Sequence, residues 1–398
     1  MLPKIMESSS GAKNWPQRRE EIVRIFEDNV YGKRPNKSYR VYSKLRQRLL
    51  AYGGIGVREL YDVYVETEQG SISMLLSILL PKGRQRIPCV LMISNHDAEE
   101  SPPEKRNLAL VDQLFATAPE SWVRETKQIM QGWQSPQKKQ AAQLLDITKD
   151  DDQDYWPEKT ILAAGRAAAC FYASQAQPDA YEKFPKSLSA LFLNPDEPRA
   201  GNGWGTLGVW AFAASCMISV LAEHPRIYPE KISLAGHSRG GKTALWCAAQ
   251  DMRVNAVLVN NSGCSGAAVS RGKHGEVVAS IYAMFPHWFC PNYAQYSWRE
   301  AEMPFDQHML LAAVAPRLCY VTSGTQDYWS DPDAEWRGVK ESSGVWENMG
   351  CPPLPQLPPQ GGEAYQKSRM GYHRRIGGHD LTRWDWEQFL NFLEQHNG

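Results

Sequence analysis

Neither sign of charge is in excess in this 398-residue chain, with 44 Lys plus Arg against 44 Asp plus Glu. That balance lacks the footprint of a nucleic-acid or anionic-membrane binder, so no polyanion is expected as partner. The eight cysteines form no CxxC pair and no metal-ligand spacing with histidine, which argues against zinc-ribbon and redox motifs. Most lie in apolar runs (Cys89 in IPCVLMI, Cys170 in AAACFY, Cys319 in PRLCYVT), as buried free thiols do. Pairing of Cys264 with Cys290 stays open. No apolar stretch approaches the ~18 residues of a membrane span, and the start, MLPKIMESSSGAKNWPQRREE, lacks the apolar centre of a signal peptide. Hydrophobic residues are not scarce: at 42%, with 22% charged, they suffice for a large core and predict a folded enzyme-sized unit, with a monomer expected.

The elements follow from periodicity. Residues 15–31 place Ile22, Val23, Ile25 and Phe26 at helical spacing and stop before Gly32 and Pro35, predicting an amphipathic helix. From Tyr39 to Leu80 the pattern alternates, and VRELYDVYVETEQGSISMLLSILLP reads as two strands joined at Glu68-Gln69-Gly70. From Ile87 onward, short continuous apolar runs (IPCVLMIS, AAACFYA, KISLAG, NAVLVNN, RLCYVTS) alternate with helical stretches, the last within DLTRWDWEQFLNFLEQ. Continuous strands are buried on both faces, so the core should be a parallel sheet wrapped by helices. An antiparallel start feeding such a series predicts an α/β-hydrolase fold in a single domain over 1–398: a mostly parallel sheet with antiparallel N-terminal strands and helices on both faces. Residues 97–156, polar and charged, and 337–370, rich in Pro and Gly, read as insertions on the loop side, over the site.

Gly236-His237-Ser238-Arg239-Gly240 matches G-x-S-x-G. The pentapeptide is weak alone, since a tight turn with a capping serine reads the same way. Its context is specific: it follows KISLAG directly and opens a helix, as a nucleophile elbow requires, with the N–H of Arg239 facing the place where an oxyanion would develop. The fold then demands an acid and a histidine in that order. Asp327 follows the strand RLCYVTS, and His379 sits in Gly377-Gly378-His379-Asp380 before the last helix. The expected relay is Ser238 as nucleophile, His379 as base and Asp327 as orienting acid. Asp331 and Asp333 are rivals for the acid, and Asp380 suits a helix cap better. His237 should point away from substrate, and His224, His274, His287 and His396 read as surface or core groups. His96, after IPCVLMIS, stands where this fold supplies its second oxyanion donor, through its backbone.

GHSRGGKTALW, VNNSGCSGAAVSR, GEVVASI, FPHWFC, FDQHMLLAAVAPR, QDYWSDP and GYHRRIGGHDLT together resemble the bacterial branch of the glucuronoyl esterases, carbohydrate esterase family fifteen. The likeness runs from about Val65 to the C-terminus, with weaker echoes in WPQRREEIVRIFEDNVYGKRP. It implies cleavage, without metal or cofactor, of the ester between the 4-O-methyl-glucuronic acid of glucuronoxylan and an alcohol of lignin. It also implies export to the periplasm or outside the cell. Carried over, it makes the Arg239 side chain an oxyanion contributor and assigns Lys242 and Glu276 to sugar hydroxyls and Trp329 to the sugar-facing wall. Lys242, four residues beyond Ser238, falls on the same helix face; without the resemblance, Lys242 and Glu276 would read as a solvated surface pair. Where fungal members carry a glutamate acid, this chain has Asn260-Asn261-Ser262, which leaves that role to Asp327 alone. An acetyl or feruloyl esterase on hemicellulose, or a silent sugar-binding relative, fits the same residues, because a triad does not encode the acyl group.

Overall fold

The computed structural model describes residues 1–6, 14–83, 85–95, 108–133, 144–180, 187–194 and 197–398. Ten strands form one sheet: β1 (Arg40–Ala51), β2 (Gly56–Thr67), β3 (Gly70–Pro81), β4 (Ile87–Ser94), β5 (Ala167–Tyr172), β6 (Ile227–His237), β7 (Val254–Asn260), β8 (Leu318–Gly324), β9 (Ala364–Tyr365) and β10 (Met370–Arg375). Their order is β1-β2-β3-β5-β4-β6-β7-β8-β10-β9. β1 to β3 are antiparallel and β3 pairs antiparallel with β5, whereas β5, β4, β6, β7, β8 and β10 run parallel. Residue type explains the change. Every residue of β5 and β8 is buried, but β1, carrying Arg40, Lys44, Arg46 and Arg48, is exposed along most of its length at the sheet edge.

The helices are α1 (Trp15–Phe26), α2 (Leu108–Thr117), α3 (Glu120–Trp133), α4 (Glu158–Ala163), α5 (Ala173–Ala176), α6 (Thr206–Glu223), α7 (Arg239–Gln250), α8 (Val278–Met284), α9 (Gln307–Ala312), α10 (Pro332–Glu347) and α11 (Arg383–Gln395). α1 continues as one π turn, Glu27–Tyr31, to the end expected from its periodicity. α6 packs between β6 and α7. Contrary to the expectation from hydropathy, its 18 residues are long and apolar enough to cross a membrane, yet 78% of them are buried inside the fold. An all-round apolar helix is what a position enclosed on every side selects.

Two other expectations change, and one open point closes. The alternating N-terminal stretch holds three strands rather than two, because β1 pairs with β2 along Arg40 to Ala51. Residues 337–370 are not one loop insertion. Their first part is the body of α10, which buries Val339, Val345 and Trp346; only the second part is irregular, leading to the edge strand β9. The prolines of this stretch all lie in that second part, and Gly338 and Gly344 with the polar outer face of the helix hide the helical pattern of the first. Cys264 and Cys290 are both buried free thiols, 290 beside the backbone of Asp28 and 264 beside Ser265.

β4 lies between β5 and β6, so the chain leaves β4 toward one neighbour and returns to the other. Such a reversal opens a crevice at the carboxyl ends of the strands, where open α/β sheets bind ligands.

Candidate active site

One residue separates β6 from α7, and it is Ser238. Its backbone sits at φ 55°, ψ −123°, a strained region for an L residue that persists only where the surroundings impose it. Here the Ser238 N–H donates to the Asn260 carbonyl of β7 at 2.9 Å. The flanking glycines are steric necessities. A Cβ on Gly236 would lie 2.1 Å from the Gly240 carbonyl oxygen, and one on Gly240 would lie 3.0 Å from that of Ile93. Helix and sheet could not close around the serine with a larger residue at 236, and one at 240 would force the Ile93 carbonyl to give way slightly.

His379 arrives on the loop between β10 and α11. Arg375 grips that loop by donating to the carbonyls on either side of the histidine, Gly378 at 2.7 Å and Asp380 at 3.1 Å. Asp327 lies three residues past β8, 1% exposed. Nε2 of His379 is 2.9 Å from Ser238 Oγ, and Nδ1 is 2.6 Å from Asp327 Oδ2. The same Oδ2 accepts from Asn261 Nδ2 at 2.6 Å. Burial pushes the Asp327 carboxyl up, but the His379 charge and the hydrogen bonds from His379, Asn261 and Ser330 outweigh it and hold it well below the ordinary carboxylate range. Burial pulls His379 down, and the Asp327 charge and hydrogen bond overcome that, leaving it raised above an ordinary imidazole. A hydroxyl, an imidazole and an ionised carboxylate in this chain can move one proton off the serine and keep the resulting imidazolium in place.

The rivals stand elsewhere. Asp331 caps α10, accepting from Ala334 N at 3.0 Å, and also accepts from His274 N at 2.7 Å. Asp333 is paired with Arg374 at the surface. Asp380 does not cap the last helix: Thr382 and Asp385 form its capping box, because two residues of loop separate Asp380 from the first turn. His237 is buried, its ring centre 4.7 Å from that of His379 and its Nδ1 2.5 Å from Asn260 Oδ1, so it backs the reactive ring. His96 lies outside the described residues.

On the other side of Ser238, the Arg239 guanidinium pairs with Asp179, which also accepts from His287 Nε2 at 2.7 Å and Trp288 Nε1 at 2.6 Å. Burial raises the Asp179 carboxyl, but His287, Arg239 and Trp288 together bring it down to about 2. The arginine is thus tied to a permanently charged anchor. Lys242, whose N–H bonds to the Ser238 carbonyl one turn back, is 4% exposed. Its Nζ donates to Ser262 O at 2.7 Å and lies 3.7 Å from Glu276 Oε2. Trp329 donates its indole N–H to Glu276 Oε1 at 3.2 Å. Lys242 and Glu276 are therefore no solvated surface pair. Burying two charges costs several kcal/mol before their attraction is counted, so packing alone is a weak reason for keeping them.

Four contributors carry no sequence signature. Asp179, His287 and Trp288 converge from segments about a hundred residues apart, and no spacing rule connects them. The fourth is Glu335, fully buried, accepting from Gly263 N at 2.9 Å, Ser323 Oγ at 2.6 Å and Ser262 Oγ at 3.2 Å. Burial, opposed by those bonds and reinforced by the charge of Asp327, raises its carboxyl to about 7. Asn261, in the stretch Asn260-Asn261-Ser262 singled out by the resemblance, donates to Asp327.

The parallel sheet with its serine elbow and this hydrogen-bonded relay define an ester hydrolase of the α/β-hydrolase class. Comparison with known proteins narrows the class. The family model described as "Glucuronyl esterase, fungi" matches residues 199–350. A carbohydrate esterase designated MZ0003, from an unknown prokaryotic organism, is 32% identical over 392 residues, covering 97% of this chain and 86% of that protein. A glucuronoyl esterase from Solibacter usitatus has a structure similar at TM-score 0.82 and 31% identity, covering 100% of this chain and 98% of the other. A promiscuous CE15 esterase from the marine bacterial metagenome gives 0.79 and 30%, covering 100% and 97%. This chain belongs to the glucuronoyl esterase family, carbohydrate esterase family fifteen, and is a carboxylic ester hydrolase.

Proposed function

We propose that the protein hydrolyses esters of 4-O-methyl-glucuronic acid, such as those joining glucuronoxylan to lignin, through an acyl-enzyme. Ser238 Oγ attacks the ester carbonyl while its proton passes to His379 Nε2. Asp327 fixes the imidazole through Nδ1 and stabilises its charged form. The tetrahedral oxyanion is met by the Arg239 guanidinium, anchored on Asp179, and by the N-terminal end of α7. Collapse breaks the bond to the alcohol, which leaves with the proton from His379. Water then repeats the sequence, releasing the free uronic acid and restoring Ser238. Lys242 donates to, and Glu276 accepts from, sugar hydroxyls, and Trp329 walls the ring. Such a substrate lies outside the cell, so the proposal includes export to the periplasm or beyond.

The observation that carries this reading is the adjacency of two arrangements around one serine: a relay with links of 2.9 and 2.6 Å, and a buried Lys242–Glu276 pair one helical turn away. A neutral esterified carboxyl with polar hydroxyls matches that mixture better than an apolar acyl chain. The relative described as promiscuous favours a broader second reading, in which acetyl or feruloyl esters of hemicellulose enter too. Hydrolysis of benzyl glucuronate set against deacetylation of acetylated xylan separates the two. The first reading expects the uronate ester to be preferred at least tenfold in kcat/KM, and turnover of acetylated xylan alone would refute it.

A further inference from the structure

The role of α3, which no catalytic motif touches, can be read from where it grips the rest of the fold. Trp122 and Glu125 stand one turn apart on α3, hence on one face of it. The Trp122 indole N–H donates to the Gly275 carbonyl at 2.8 Å. Glu125 Oε1 accepts from the Gly275 N–H and from His274 Nδ1, each at 3.1 Å. Both backbone polar groups of a single glycine therefore end on side chains of one helical turn. Trp122 is 7% exposed and itself held edge-to-face by Trp298 at 5.2 Å, whose indole donates to Thr117 of α2 at 3.2 Å.

Gly275 precedes Glu276. It adopts φ +68°, and a Cβ there would lie 2.6 Å from the Tyr328 carbonyl oxygen and 2.7 Å from that of Trp329. Glu276 N in turn donates to Trp329 O at 2.9 Å, and Lys273 Nζ donates to the same oxygen at 3.1 Å. A shift of Gly275 therefore bears first on Glu276 and Trp329; the serine elbow and the histidine loop are reached only at one remove, through Lys242 and Ser330.

We infer that Trp122 and Glu125 are positioning residues that set specificity: α3 clamps Gly275 and so fixes Glu276 and Trp329 for the sugar, itself making no contact with the reacting groups. The inference rests on the uronate-ester reading. A clamp of this kind acts on binding of the sugar and not on bond cleavage, whereas a mere packing role would lower activity toward every ester alike or change nothing but stability.

The experiment uses the full chain with Trp122→Phe, which keeps the ring and deletes the donor, and Glu125→Ala, whose site is partly open to solvent and so tolerates truncation. Each is assayed on benzyl glucuronate and on p-nitrophenyl acetate, which has no sugar, with melting temperatures recorded. The expected result is a KM for the uronate ester raised about fivefold in each variant, the size of one lost buried hydrogen bond, with kcat within twofold and acetate hydrolysis unchanged. Equal losses on both esters, or no change on either, overturn the inference while leaving the uronate reading in place. A wild-type chain that turns over the acetate and not the uronate ester removes that reading and the clamp's purpose together.

Discussion

The two flanks of Ser238 are held by different means. On the histidine flank, Ser238, Asp327 and His379 follow β6, β8 and β10, and backbone contacts fix much of their placement: Ser238 N to Asn260 O, and the Arg375 fork on the carbonyls around His379. On the other flank the groups come from α7, the loop before α8, the loop after β8 and the segment after α5, and side chains hold side chains: Arg239 on Asp179, Lys242 beside Glu276, Glu276 on Trp329. Groups fixed by strand ends act as a unit, so removing one disables the whole relay. A side-chain network spreads its losses, and each member removed should weaken the reaction by a part.

That contrast is sharpest in the acids. Asp327→Asn should lower kcat by about 10⁴-fold, since the amide cannot hold the required imidazole tautomer, while Asp331→Asn, which keeps an oxygen to cap α10 but loses the one that accepts from His274 N, should cost about 1 kcal/mol of stability and little turnover. Equal kinetic losses in the two would erase the distinction. Asp179→Asn should cost about 10²-fold in kcat, the size of one misaligned oxyanion donor, with KM moving less than threefold; steady-state kinetics of the purified variant checks this.

The pH profile probes the relay as a unit. The imidazole must be neutral to accept the serine proton, and Asp327 raises it, so kcat/KM should fall about tenfold per pH unit below an inflection lying above the ordinary ~6.5. A rate flat from about pH 5 to 8 would contradict it. The smallest effect is expected behind the relay, at Glu335. A carboxyl raised to about 7 in the fold and near 4.3 when unfolded stabilises the fold in its protonated form at low pH and loses that contribution as pH climbs through 7. Glu335→Gln should therefore melt a few degrees higher than the native chain at pH 8 and show no such gain at pH 5, by calorimetry.

What is legible in the sequence divides along the same line. The elbow, the acid and the histidine lie at strand ends whose order the fold dictates, so continuous apolar runs and flanking glycines are enough to single them out. Lys242 is legible through the family resemblance, with which its spacing of one helical turn from Ser238 agrees. Asp179 and Glu335 are not, since their partners lie in remote segments and a carboxylate destined for burial looks, in sequence, like any surface one. α10 is obscured by the Pro- and Gly-rich stretch after it, and β1 by charges that an edge strand can carry on both faces. The apolar length of α6 escapes notice because Gly and Ser break TLGVWAFAASCMISVLAE into short apolar runs.

Ser238 should be the one hydroxyl that this relay activates. Treating the native chain with a fluorophosphonate and mapping the adduct by peptide mass spectrometry tests it directly. The account predicts one adduct per chain, on the peptide containing Gly236-His237-Ser238-Arg239, appearing in step with loss of esterase activity and absent from Asp327→Asn over the same interval. Full modification of that serine with activity retained, or inactivation with the adduct on another residue, would contradict it.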